Sequence, residues 1–205
     1  MPSVYDLKPK FQALLRPMVG RLAAAGVTAN HVTVAAAILS LAVALMLVAR
    51  PGRAALLLVP ALLLVRMALN AVDGMLAREH GQASRLGAVL NELGDIFSDA
   101  ALYLALAVAL LPFGAAPWAT VVFAFAAVAT EAAGLQALQI GGSRRYDGPM
   151  GKSDRAAAVG LLCVLLAAGV PGGAWLTWVF AALAALGMLT VLNRSRAALA
   201  EGSRT

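Results

Sequence analysis

The chain has 205 residues, of which 61% are hydrophobic and 13% charged, and a formal net charge of +6. Its mean hydropathy of +0.84 and an apolar content above the roughly half found in soluble domains exclude a soluble globular protein. The basic balance does not point to nucleic acid, because Lys and Arg flank apolar blocks long enough to span a bilayer.

Backbone groups in lipid must be hydrogen-bonded within the structure, so the blocks are helices or barrel strands; their length and Ala/Leu content select helices. The expected fold is an all-α integral membrane protein, with six transmembrane helices preceded by an amphipathic N-terminal surface helix. Three parts are expected: a juxtamembrane segment 1–30, a transmembrane domain 31–193 and a cytoplasmic tail 194–205. No secretory signal peptide is read at the start, since the first apolar run follows a polar, amphipathic leader.

Residues 3–25 place Val4, Leu7, Phe11, Leu14, Leu15, Met18 and Leu22 at helical spacing, with Lys8, Lys10, Arg16 and Arg21 among them. That pattern suits a helix lying on the membrane surface, with a kink expected at Pro17. The spans follow at 31–49, 54–79, 86–111, 116–140, 154–170 and 174–193. Pro and Gly in 112–115 and 171–173 mark hairpin turns. With the N-terminus in the cytoplasm, that side receives thirteen Lys and Arg, from Lys8 to Arg204, and the other side only Arg50 and Arg53. Both termini are therefore expected in the cytoplasm, and Trp118, Trp175 and Trp178 form an outer aromatic belt. Arg194 and Arg196 read as an anchor after the last span, and Ser203–Thr205 as a disordered tail. Cys163, alone in an apolar block, is read as a packing residue and excludes an internal disulfide and a four-cysteine metal site.

The second span is too long. From Arg53 to Glu79 it would run about 40 Å at about 1.5 Å per residue, against about 30 Å of hydrocarbon. Its end, Asp73 to Arg78, should therefore project toward the cytoplasm, where the third span begins with Gly87 to Asp95. Charge near an interface costs much less than at the bilayer centre. At 100° per residue Arg66, Asn70, Asp73 and Ala77 fall within about 60° on the second span. Asn91, Glu92, Asp95 and Asp99 fall within about 100° on the third. Two facing stripes of carboxylate and amide oxygen suit a hard cation such as Mg²⁺, Mn²⁺ or Ca²⁺. His31 and His80 lack partners for a zinc site. Gly74, Ala77 and Gly87 allow close approach to the backbone, and Arg78 offers a fork of donors for phosphate. Together these point to phosphoryl transfer on a lipid-soluble substrate; the alternative is a polar network that only locks helices together.

Asn70, Asp73, Gly74, Ala77 and Arg78, then eight residues, then Gly87, Asn91 and Asp95 carry a recognisable pattern. It resembles the CDP-alcohol phosphotransferase (CDP-alcohol phosphatidyltransferase) family motif D-x-x-D-G-x-x-A-R, eight residues, G-x-x-x-D-x-x-x-D. The spacing is intact, and every defined position matches except Asn70 and Asn91. VTANHVT, residues 27–33, is similar to the T-P-N-x-x-T run that leads into the family's first span, with Ala29 in place of proline.

The resemblance implies a transferase of phospholipid biosynthesis. It would move a phosphoalcohol group from a CDP-alcohol, CDP-diacylglycerol above all, to a small polar alcohol or its phosphate, with release of CMP. It implies Mg²⁺ or Mn²⁺ on Asn70, Asp73, Asn91 and Asp95. Asp95 would be the base, and Gly74, Ala77, Arg78 and Gly87 would hold the CDP moiety. It further implies a homodimer in a bacterial inner membrane, with the site at the cytoplasmic interface. The two amides remove two formal charges from the metal shell and should weaken a second cation. Glu92 and Asp99, on the Asp95 side of their helix, are candidates to compensate. A one-metal enzyme and a non-catalytic CDP-lipid-binding relative are the other outcomes.

In the loop 140–156, Arg144, Arg145, Lys152 and Arg155 form a basic cluster. Gly151-Lys152 resembles a family feature near the fifth span that helps bind the acceptor or its phosphate; the plainer reading is a set of cytoplasmic anchors on anionic lipid. Asp154 caps the fifth helix or pairs with Arg155. Glu131, deep in the fourth span, needs a cation, and Arg66 is the expected partner. A small cation-coupled transporter stays open as a different class, although no inverted repeat is evident.

Overall fold

The computed structural model describes residues 4–202, with side chains from Phe11 to Glu201. The expected disordered tail Ser203–Thr205, with Arg204, lies outside the described residues, as do the side chains of Val4, Leu7, Lys8 and Lys10. All regular structure described is helical: α1 (Val4–Ala24), α2 (Ala29–Ala49), α3 (Arg53–Leu56), α4 (Leu58–Glu79), α5 (Arg85–Ala109), a 3-10 turn (Leu111–Phe113), α6 (Pro117–Gln139), α7 (Lys152–Ala167) and α8 (Trp175–Gly202).

Four segments are long and apolar enough to cross a membrane: Ala29–Ala49, Arg53–Glu79, Pro117–Gln139 and Trp175–Glu201. The chain is a membrane protein. The other two expected spans fall outside this set by length or composition. The third becomes α5, which carries Glu92, Asp95 and Asp99 among its apolar residues. The fifth becomes α7, whose 16 residues reach only about 24 Å at about 1.5 Å per residue.

Local chemistry sets the boundaries. Gly26, at φ 78, ends α1: its N–H reaches Ala23 O at 3.0 Å and Val27 N–H reaches Leu22 O at 2.9 Å, a left-handed glycine stop. Helix α1 continues across Pro17. Thr28 caps α2 by accepting from His31 N–H at 3.2 Å, while Thr28 N–H donates to His31 Nδ1 at 3.3 Å. Ser84 caps α5 by accepting from Gly87 N–H at 2.9 Å. The second span breaks at Leu57, between α3 and α4. Pro60 lacks the N–H that Leu56 O would otherwise accept.

The chain divides into two compact units. One runs up to Leu39 and takes in Leu64–Asp95; the other takes in Ser40–Leu63 and everything from Ile96. In the first, Val19 of α1, Ala29 and Val32 of α2 and Val72, Met75 and Leu76 of α4 form a buried apolar cluster. Gln82 ties the α4–α5 turn to the start of α2, accepting from Ala29 N–H at 2.7 Å and donating to Val27 O at 3.4 Å. Arg16 makes a two-pronged bond to Glu79 at 3.0 Å on each arm. That pair is exposed and contributes little.

In the second unit, Tyr103, Phe123 and Phe180 pack in sequence, tilted and then edge-on, with ring centroids 4.8 and 5.6 Å apart, within an apolar core drawn from α2 to α8. Helices α6 and α8 pack closely where Gly187 meets Ala126; a Cβ on Gly187 would lie 3.0 Å from that methyl group. Arg53 caps the end of α7 by donating to Leu166 O at 2.6 Å. The α6–α7 loop is laid on α8. Gly148 sits at φ 115, where an added Cβ would come 2.7 Å from Thr190 Cα. Gly148→Ala is therefore expected to lower stability by about 1–3 kcal/mol, from backbone strain and overpacking together. A thermal-unfolding series in detergent checks it, with Gly141→Ala as the control for positive φ without crowding, since nothing lies within 4 Å there.

Candidate active site

The first unit brings the two polar stripes face to face. On α4, Asn70 donates through Nδ2 to Asp95 Oδ1 at 3.3 Å, and Arg66 Nη2 reaches the same oxygen at 3.2 Å. From α5, Asn91 Nδ2 donates to Asp73 Oδ2 at 3.1 Å, and from α2 the Thr33 hydroxyl donates there at 2.9 Å. Asp73 is buried, while the Asp95 side chain keeps 24% of its surface exposed. The two carboxylates are near enough to repel one another electrostatically. Each amide is spent as a donor onto the acid of the facing helix, so the four motif positions are cross-tied in two pairs.

Beside them lies a cavity of about 320 Å³, lined by Asn70, Asp73 and Asn91 at the acids, by Gly74, Ala77, Arg78 and Gly87, and by Asn30 and Thr33 from α2. The glycines have steric causes. A Cβ on Gly74 would stand 3.0 Å from Arg78 Nη2, so the guanidinium folds back over that face of α4. A Cβ on Gly87 would stand 2.8 Å from Asn30 Oδ1. Gly87→Ala should push Asn30 into the cavity. Its expected effect is about tenfold weaker binding of a ligand that fills the cavity, roughly 1.4 kcal/mol, read by calorimetry with CDP as the probe.

The oxygen donors of Asn70, Asp73, Asn91 and Asp95 form a set suited to a divalent cation. It is all oxygen and hard, since turning either amide presents Oδ1 instead of Nδ2. Among the described residues no three His, Cys, Asp or Glu side chains gather at one point. Two carboxylates and the Arg66 guanidinium leave a formal charge of −1. Hard oxygen donors of this kind suit a divalent cation.

The second unit holds a different polar knot. Arg155, 1% exposed, donates from Nη1 to Thr130 Oγ1 at 2.7 Å and Met150 O at 3.2 Å, and from Nη2 to Glu131 Oε1 at 2.9 Å. Asp99 Oδ2 lies 3.5 Å from the same nitrogen. Arg144 reaches Glu131 Oε2 at 3.3 Å, and Arg194 Nη1 lies 3.7 Å from Glu131 Oε1 while donating to Thr130 O. The expected Arg66–Glu131 pair is thus corrected: Arg66 answers Asp95, and Glu131 is answered by three other arginines. A buried carboxylate takes the cations that geometry delivers, and here α7, α8 and the loop deliver them.

The loop cluster separates accordingly. Arg144 and Arg155 converge on Glu131. Arg145 turns to Asp147 at 2.8 Å and Glu201 at 3.1 Å, and its guanidinium holds the Asp147 carboxyl below the usual carboxylate range. Lys152 opens α7. Asp154 acts as the cap, accepting from Gly151 N–H at 2.9 Å. Sequence reasoning missed Thr33, Thr130 and Arg194 as partners. Thr33 had a signal, being the last residue of VTANHVT; Arg194 was hidden among the anchors.

The fold is that of a helical membrane protein with two facing polar stripes beside a cavity. The chain belongs to the CDP-alcohol phosphatidyltransferase family, whose model matches residues 26–193. It is 44% identical over 201 residues to inner membrane protein YnbA of Escherichia coli (strain K12), covering 96% of each chain. Its fold is that of Mycobacterium tuberculosis phosphatidylinositol phosphate synthase (PgsA1). The structure of that protein with manganese and citrate has a TM-score of 0.72 at 21% identity, over 89% of this chain and 88% of that one. The structure with CDP-DAG bound has a TM-score of 0.71 at 21% identity, over 89% and 92%.

Proposed function

We propose that the chain transfers the phosphatidyl group of CDP-diacylglycerol to a small polar alcohol or its phosphate, releasing CMP, at the cytoplasmic face of a bacterial inner membrane. The observation that carries this is the cavity in the first unit, where Gly74, Ala77, Arg78 and Gly87 open onto Asp73 and Asn91. A nucleoside diphosphate needs backbone close approach and a cationic fork, and both are there. The CDP-DAG bound in PgsA1 supports the donor, and the inner-membrane relative supports the location.

In this reading Asp95 takes the proton of the acceptor hydroxyl. The acceptor oxygen bonds the β-phosphorus, the bond from that phosphorus to the bridging oxygen breaks, and CMP leaves with that oxygen. Arg78 and the glycines orient the diphosphate, and positioning supplies much of the rate. Asn70, Asp73, Asn91 and Asp95 would hold Mg²⁺ or Mn²⁺, which when bound offsets diphosphate charge; manganese in PgsA1 supports that choice. Helices α5 and α7 complete six spans, α1 lies on the surface as segment 1–30, both termini face the cytoplasm, and the chain pairs as a homodimer. The excess of Lys and Arg on one side of the spans supports the orientation.

A screen of polar alcohols and their phosphates tests the reading through the phospholipid formed from CDP-diacylglycerol. One acceptor should give a new, alcohol-dependent lipid. Lipid binding without product from any acceptor would favour a non-catalytic relative, and metal-dependent uptake without CMP a transporter.

A further inference from the structure

We propose that Arg66 is a built-in cation of the site, standing beside Asp95 in place of a second metal ion, so that the chain works with a single divalent ion. This rests on the reading of the site as a metal–diphosphate centre. Arg66 is 4% exposed and belongs to the same face of α4 as Asn70 and Asp73. A guanidinium so buried needs a carboxylate, and Asp95 supplies it at 3.2 Å. The oxygen that Arg66 grips is also the one that Asn70 holds.

Three sequence choices act in one direction. Asn70 and Asn91 stand where two more acids would complete a four-carboxylate set, and Arg66 adds a positive charge to what remains. Asp73, Asp95 and Arg66 together carry −1. With a diphosphate (−2) and the cavity's Arg78 (+1) counted as well, one divalent ion brings the site to neutrality, whereas two leave an excess of +2 in a weakly screened site, which is costly. Each amide keeps an oxygen at its position while its N–H group holds the facing acid.

A residue that merely locks α4 to α5 would not change the number of ions bound, so the test counts ions. The purified full chain is titrated with Mn²⁺ at saturating CDP, with free ion followed by electron paramagnetic resonance. Wild type should bind one ion per chain. Asn70→Asp with Asn91→Asp, keeping Arg66, should still bind one tightly, with any second ion at least tenfold weaker. Adding Arg66→Met to that pair should bring tight binding to two. None or two ions on wild type overturns the proposal. So do two equally tight ions on the pair variant, or one on the folded triple variant. If the triple variant does not fold, wild type and the pair variant decide alone, since both retain Arg66. CMP release separates this from the function itself: turnover with two bound ions sinks the proposal only, and no turnover with any acceptor sinks the function.

Discussion

Asp95→Asn is expected to cut CMP release by about 10²–10⁴-fold, the range of a lost general base. The substituted amide keeps the shape and can still face Asn70, so CDP binding should fall much less than turnover. Because Arg66 is left buried beside a neutral group, some stability should go too. Thermal unfolding with and without CDP separates the two effects. A variant that stays folded at the assay temperature, binds CDP and releases no CMP fits a base. A variant that turns over normally would remove Asp95 from the chemistry.

The largest structural effect is expected at Glu131. Glu131→Ala leaves Arg155 and Arg194, 1% and 2% exposed, without their shared carboxylate. Stranding a buried charge typically costs about 3–5 kcal/mol. Glu131→Gln keeps the hydrogen bonds but not the charge and should fall between. Combining Glu131→Gln with Arg155→Met should recover part of the loss, because the two sites are bonded to each other and do not add. Additive losses in the double variant would show that the pair is not the coupling element. Arg66→Met should show no coupling to Glu131, since its carboxylate is Asp95.

The helical motif was legible because its chemistry repeats at helical spacing. Asn70 and Asp73 on one helix, and Asn91 and Asp95 on the next, had to share faces, and a short turn brought those faces together. The partners of single buried charges were not legible. Depth along a span suggested Arg66 for Glu131, but lateral packing chooses among cations at similar depth. Arg155 looked like part of a basic loop; it lies in the first turn of α7, which swings it inward onto Thr130 and Glu131. The break at Leu57 was written in Pro60, three residues on, yet hydropathy alone runs straight through it. Helix α5 shows the converse limit: Glu92, Asp95 and Asp99 lower the apolar signal that marks a span.

The most direct measurement is CMP release from CDP-diacylglycerol by the purified chain, with and without Mn²⁺ and with and without a polar alcohol. Release that requires both the ion and an alcohol, and that yields one phospholipid per CMP, is the expected result. A folded chain that binds CDP-diacylglycerol yet releases no CMP with any alcohol would contradict it.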